Sequence, residues 1–196
     1  DLSWQSGDAP MGYVVANAAL QSALRETLAA TNVIERRGCG MTGWSAGDTI
    51  SSLGLVDAAG QKETMEAALV VACDGARSMM AELAGLGRRE ERQRQTAIVT
   101  TLRAERPHEG TAFQRFLPTG PFALMPGPGD AGGYEMSLVW TLPNDTAQQL
   151  IAADNASFEA ACLEAFGSRL GYLKLAGNRL AWPLQPAWRR RITALG

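Results

Sequence analysis

The chain has 196 residues, 46% of them apolar and 19% charged, enough to bury a sizeable core as one large domain or two small ones. Its formal net charge is −2 with Lys and Arg dispersed, so there is no electrostatic reason to expect a nucleic-acid partner. No run approaches the roughly 18 consecutive apolar residues of a membrane span, and no basic-then-apolar leader opens the chain, which is expected to be soluble and cytoplasmic.

Asp1 to Pro10 is polar and turn-rich and is expected to be a loop. Asn17 to Ala29 carries Leu20, Ala23, Leu24 and Leu28 at helical spacing, with Asn17 as the N-cap acceptor. Val33 to Arg37 and Met41 to Ala46 read as short strands. Ile50 to Val56, the turn Asp57-Ala-Ala-Gly60 and Lys62 to Met65 read as a hairpin leading to a buried-type strand at Ala68 to Ala72. Met79 to Leu86 is a short helix, and Gly87 to Arg94 a charged connector. Beyond it, Thr96 to Arg103, Gly110 to Leu117, Phe122 to Pro126 and Tyr134 to Leu142 are separated by Pro and Gly clusters, the pattern of a mostly antiparallel sheet. Helices are expected over Thr146 to Ala153 and Ser157 to Phe166, the second capped by Asp154 or Asn155 and stopped by Gly167. Arg179 to Leu184 is a last strand, confined to an edge by Pro183 and Pro186.

Cys39, Cys73 and Cys162 are odd in number, widely spaced and without a CxxC pair, which argues against a disulfide framework and a metal site. His108 is the only histidine and sits in the turn-like Arg106-Pro-His-Glu-Gly110, so it is expected to be a solvated loop residue. A Ser-His-Asp or Cys-His mechanism would have to use it, and no catalytic residue is assigned. Arg189-Arg190-Arg191 is the densest basic run and is expected to be a solvated strand end or turn.

In Ala68-Leu-Val-Val-Ala-Cys-Asp74-Gly75-Ala-Arg-Ser78 an apolar run leads to an Asp acceptor and a Gly that lets the backbone approach a ligand, although a plain strand-end turn would read the same way. The run resembles the second flavin and pyridine-nucleotide fingerprint of the aromatic flavoprotein monooxygenases. Gly12-Tyr-Val-Val-Ala-Asn17-Ala-Ala-Leu-Gln21, Phe113-Gln-Arg-Phe116, Gly120-Pro-Phe-Ala-Leu-Met-Pro126, Ser137-Leu-Val-Trp140, Ala165-Phe-Gly167, Arg169-Leu-Gly171 and Trp182-Pro-Leu184 follow in the order of the ubiquinone-biosynthesis FAD-dependent hydroxylases.

That resemblance implies an α/β (α+β) fold: pieces of an FAD-binding domain over residues 1–87, a mostly antiparallel substrate-domain sheet backed by helices over 88–181, and a return to the FAD domain over 182–196. It implies ring hydroxylation of a polyprenylated phenol with FAD, NAD(P)H and O2, contacts with other ubiquinone-biosynthesis proteins, and peripheral association with a membrane. Asn17, Asp74 and Gly75 are then the cofactor-binding candidates, and Arg115, Leu124, Pro126 and Leu138 the substrate-binding wall. A flavin monooxygenase acting on a soluble aromatic, or a non-catalytic lipid- or partner-binding module, are the alternatives. The family's strand-GxGxxG-helix unit and its flavin-closing Gly-Asp element are not found in these residues, so the chain reads as an internal fragment. Exposed apolar surface is expected near Val70, Val71 and the Asn17 helix, and a closed sheet over Thr96 to Leu142.

The purified 196-residue chain should therefore carry far less than one FAD per chain, measured by its flavin absorbance. A flavin spectrum at full occupancy would contradict that expectation.

Overall fold

The computed structural model describes residues 12–91, 93–127 and 132–194. The loop expected before Pro10 and the tip of the Pro126-Gly-Pro-Gly129 connection lie outside them. In chain order the elements are α1 Asn17–Ala29, β1 Gly40–Ser45, β2 Ser51–Val56, β3 Lys62–Ala67, α2 Met79–Leu83, β4 Arg89–Glu90 and β5 Gln95–Ala104. They continue with β6 Phe113–Leu117, β7 Gly120–Pro126, β8 Glu135–Pro143, α3 Asn144–Ala152, α4 Asn155–Phe166, β9 Leu173–Leu175, β10 Leu180–Pro183 and β11 Ala187–Trp188. The chain divides into two compact units, Asp1–Ala30 with Gln93–Leu184 and Thr31–Arg92 with Gln185–Gly196. The class is mixed α/β with antiparallel pairing throughout the described sheets.

The first unit is built on a sheet of order β10-β5-β8-β7-β6, with β9 continuing alongside β5 beyond β10. Short Pro- and Gly-bearing turns make β6 and β7 antiparallel neighbours, and β10 takes the edge that Pro183 requires. Cross-strand partners share a face of an antiparallel sheet, so the registers divide the side chains into two sets. Ile98, Leu102, Phe122, Leu124, Met136, Leu138 and Leu142 fall on one face and are at most 1% exposed. Phe158 and Cys162 of α4 and Ala147 of α3 join them in a single core. Phe166 of α4 stacks on Phe122 at 6.0 Å and meets Phe113 edge-on at 5.6 Å, which seats the helix on this face.

Helix α4 begins where expected, with the Asp154 carboxylate accepting from the Ser157 N–H at 2.8 Å, and ends at Gly167 with φ 88°. Glu159 ties it to β9 through the Leu175 N–H and the Lys174 ammonium, both at 2.9 Å. Burial pushes the Glu159 carboxyl upward, but those two partners outweigh it and hold the group below its usual range.

The second unit holds the three-stranded sheet β1-β2-β3, α2 and the two-residue ribbon β4–β11. The β2–β3 hairpin turns on Asp57, whose carboxylate accepts from the Ala59 and Gln61 N–H groups, and on Gly60 at φ 80°. Two expected strands are not strands. Residues 33–37 are held by Arg36–Glu63 and Arg37–Glu35 ion pairs and not by a ladder. The apolar run Ala68 to Ala72 has no pairing partner among the described residues, and Leu69 and Val71 are 78% and 72% exposed. A buried-type strand needs neighbours on its edges and cover on its faces, and without them its sequence alone does not make one. In the first unit α1 likewise has no buried residue, with Leu20 and Leu24 half exposed, while the β5–β8 sheet, expected to be closed, is covered by α3 and α4 on one face only.

Phe158→Ala should destabilise the first unit by about 3–5 kcal/mol in denaturant unfolding, because a fully buried aromatic leaves a cavity. Phe116→Ala on the same sheet, at 83% exposure, should stay within about 0.5 kcal/mol.

Candidate functional site

The Asp74-Gly75 turn is the most structured part of the segment after β3. Asp74 Oδ2 accepts from the Met80 N–H at 3.1 Å, and Ser78 Oγ accepts from the Ala81 N–H at 3.0 Å, so both residues cap α2. The Ser78 hydroxyl, with the Met80 N–H after it, holds the Asp74 carboxyl below the usual carboxylate range. Gly75 has φ 84°, and a Cβ built on it would meet nothing within 4 Å. Arg88 Nη1 fastens the turn by donating to the Ala76 carbonyl at 2.9 Å. Capping of α2 and a ligand contact are compatible here: Asp74 is exposed and the space beside Gly75 is open. Toward a flavin nucleotide these residues supply an exposed acceptor at Asp74 and unobstructed space beside Gly75.

Asn17 is the first residue inside α1, and the cap position belongs to Ala16. The Ala16 carbonyl accepts from the Ala19 and Leu20 N–H groups at 3.0 and 3.1 Å, with no side-chain cap. The capping role expected of Asn17 is therefore not made, because its backbone is already helical, and the residue remains exposed at the helix start. It belongs to the first unit, whereas Asp74 and Gly75 belong to the second.

Arg115, Leu124, Pro126 and Leu138 share one face of the sheet, and that face is the one packed under α3 and α4. Leu124 and Leu138 are completely buried in the core, and Pro126 is half-buried on the same side. The Arg115 guanidinium needs a partner and finds one structurally: Nη1 donates to the Ala165 carbonyl in the last turn of α4 at 2.6 Å. A cation on otherwise unsatisfied carbonyls at a helix C-terminus is favourable.

The opposite face is the open one. Val99, Ala123, Met125 and Val139 lie on it half-buried, flanked by Phe116 at 83% exposure and by Leu180 and Trp182 at 53% and 61%. Ser137, Thr101 and Thr141 supply its polar atoms, and Glu135 lies opposite Arg103 at one end. This set was missed by sequence reasoning, although the size difference along β8 carried the signal: Met136, Leu138, Trp140 and Leu142 alternate with Ser137, Val139 and Thr141.

His108 is not a solvated loop residue. Its N–H donates to the Gly133 carbonyl at 2.7 Å and its Nδ1 accepts from the Gly110 N–H at 3.0 Å, folding the turn over the ring so that only 9% stays exposed. Burial pushes the Cys162 thiol up to about 12, which leaves it protonated and unreactive. Among the described residues no group of acidic, His and Cys side chains is arranged to hold a metal, and no helix is long and apolar enough to cross a membrane.

Solved structures share this architecture. The flavin-dependent monooxygenase PieE aligns with a TM-score of 0.62 at 16% identity, over 92% of this chain and 32% of that one. A flavoprotein/dehydrogenase from Cytophaga hutchinsonii gives 0.65 at 14% identity, over 92% and 45%. The fold is that of FAD-dependent monooxygenases. At the level of sequence, the chain belongs to the FAD binding domain family, whose model matches residues 8–183.

Its curated relatives include the ubiquinone hydroxylase UbiL of Rhodospirillum rubrum, 39% identical over 89% of this chain and 39% of that protein. They also include the 3-demethoxyubiquinol 3-hydroxylase of Escherichia coli, 30% identical over 83% and 40%, and the mitochondrial ubiquinone biosynthesis monooxygenase COQ6 of Mus musculus, 31% over 81% and 34%. The chain thus spans 34–40% of the length of these relatives.

Asp74 adds a pH dependence with a definite sign. A carboxyl held low in the folded state stabilises it above the unfolded carboxylate value, and the contribution is lost as pH falls through the folded value. Asp74→Asn should flatten the acid side of the stability profile of the chain, read by thermal melts from neutral pH downward. A wild-type slope retained in the variant would show that the carboxylate does not hold the turn.

Proposed function

We propose that the protein carrying this chain is an FAD- and NAD(P)H-dependent monooxygenase that hydroxylates the ring of a polyprenylated phenol in ubiquinone biosynthesis. The observation that carries the reading is the open, half-exposed apolar face of the β5–β8 sheet in a chain of the FAD binding domain family. The names of the relatives support the pathway: each is a hydroxylase or monooxygenase named for ubiquinone or a ubiquinol, and COQ6 for ubiquinone biosynthesis.

When bound, the flavin supplies the redox chemistry that activates O2 for transfer of one oxygen atom to the ring. The residues of this chain bind, orient and shield. Ala123, Met125, Val139 and Val99 offer an apolar wall on which a phenol ring lies and from which water is excluded. Ser137 and Thr101 stand opposite each other on the same face and can accept or donate a hydrogen bond to the ring hydroxyl. In the second unit Asp74 and Gly75 are the contacts proposed for the flavin nucleotide, and in the first unit Asn17, at the start of α1, is a separate polar candidate. Phe116 and Trp182, exposed at the two edges of this face, suit the start of a prenyl tail. A substrate with such a tail resides in a bilayer, so we take the protein to work at a membrane surface, beside other proteins of the pathway.

The test is turnover of the protein with NAD(P)H and a short-chain prenylated phenol under 18O2. A product carrying one 18O atom, formed in preference to the hydroxylated product of an unprenylated phenol, is expected. Preference for the unprenylated phenol would move the reading to a soluble aromatic, and no oxygen transfer to either would overturn it. Met125→Gln should raise KM for the prenylated phenol about tenfold, the scale of about 1.4 kcal/mol of lost apolar contact, with kcat affected less.

A further inference from the structure

We infer that the second unit contains a binding site for a phosphate-bearing anion in the cleft beside the β4–β11 ribbon. The ribbon joins two segments far apart in the chain, with Arg89 opposite Trp188 and Glu90 opposite Ala187. Each segment brings arginines. Arg88, Arg89, Arg190 and Arg191, with the backbone of Gly87, line a cleft of about 340 Å³. The β4–β11 ladder brings these four arginines to one cleft, where like charges repel unless an anion lies between them.

Two of the four are positioned by other contacts. Arg88 is anchored by the Ala76 carbonyl and by Glu90 at 3.1 Å, and its Nε is buried with no partner among the described residues. The Arg89 guanidinium lies 5.4 Å over the Trp188 ring, which holds it in place and leaves its N–H edge for a ligand. Arg189 donates to the Leu86 carbonyl, fixing the chain just before Arg190. Arg190 and Arg191 then stand exposed at the cleft. Glu90 offsets one of the four charges. The remaining cations, with the five-donor fork of each guanidinium, match the oxygens of a phosphate or pyrophosphate group. That chemistry is shared by the phosphates of a soluble nucleotide and by an anionic phospholipid headgroup.

Calorimetric titration of inorganic pyrophosphate into the 196-residue chain at low salt tests the site. Saturable binding is expected, weakened about tenfold or more in Arg190→Gln/Arg191→Gln, the scale of one lost charge-assisted hydrogen bond. Arg25→Gln/Lys62→Gln removes the same charge elsewhere and should leave binding unchanged. No saturable binding, or equal weakening in both double variants, would overturn the inference. Competition assigns the source: displacement of pyrophosphate by NADPH more strongly than by NADH points to a nucleotide phosphate. Displacement by phosphatidylglycerol vesicles, and not by phosphatidylcholine vesicles, points to a lipid headgroup. Either supports the site, and circular dichroism of the Arg190→Gln/Arg191→Gln variant confirms that it is folded.

Discussion

In β8, Met136, Leu138, Trp140 and Leu142 point to one side of the sheet while Ser137, Val139 and Thr141 point to the other, and α3 and α4 can be held only where the large apolar set meets them. Because the side-chain period of a strand is two, this choice propagates by register to every neighbour: Leu124 and Phe122 of β7, Phe113 of β6, Ile98 and Leu102 of β5. A slip of one residue would exchange the core and the candidate substrate wall. Burial of these residues provides the main stabilisation of the unit, and the face left over is defined by the same pairing.

Polar contacts fix the helices on that core more than they stabilise it. Asp154 caps the start of α4, Arg115 reaches from the edge strand β6 to the last turn of the same helix, and Glu159 links its middle to β9. Arg179 lies over the Phe158 ring at 5.1 Å and also donates to the Leu150 carbonyl at 2.8 Å, joining α3 and α4. These are contacts of exposed or half-exposed groups, individually modest, whose effect is to set where the aromatic side chains of α4 meet the sheet. The side chain that resembled a substrate contact, Arg115, is one of these fastenings.

Much of this was legible in the sequence where the determinants are local. The β6–β7 pairing followed from Pro118-Thr-Gly-Pro121, the β2–β3 hairpin from Asp57 and Gly60, and α4 from its Asp154 cap and Gly167 stop. Non-local pairing was not legible. Strands β9 and β4–β11 are two or three residues long and exist only because distant partners meet them, while residues 68–72, with ideal strand composition, have none among the described residues. The site candidates divided in the same way. Asp74 and Gly75 were read from their residue types as a strand end offering a ligand contact; the strand before them is unpaired among the described residues, while Asp74 caps α2 and Gly75 takes a positive φ. Leu124, Leu138 and Arg115 were rightly grouped on one face, but their shared face is covered by helices, a fact that depends on which side α4 docks.

The two faces of the sheet can be told apart directly by photolabelling the protein with a prenylated phenol bearing a diazirine on its ring and mapping the adducts by mass spectrometry. The structure predicts labels on Ala123, Met125, Val139 and Val99, lost on competition with unlabelled phenol. Labels concentrated instead on Leu124 and Leu138 would mean that the helix-covered face opens to admit substrate, and would contradict the assignment of the open face as the wall of the site.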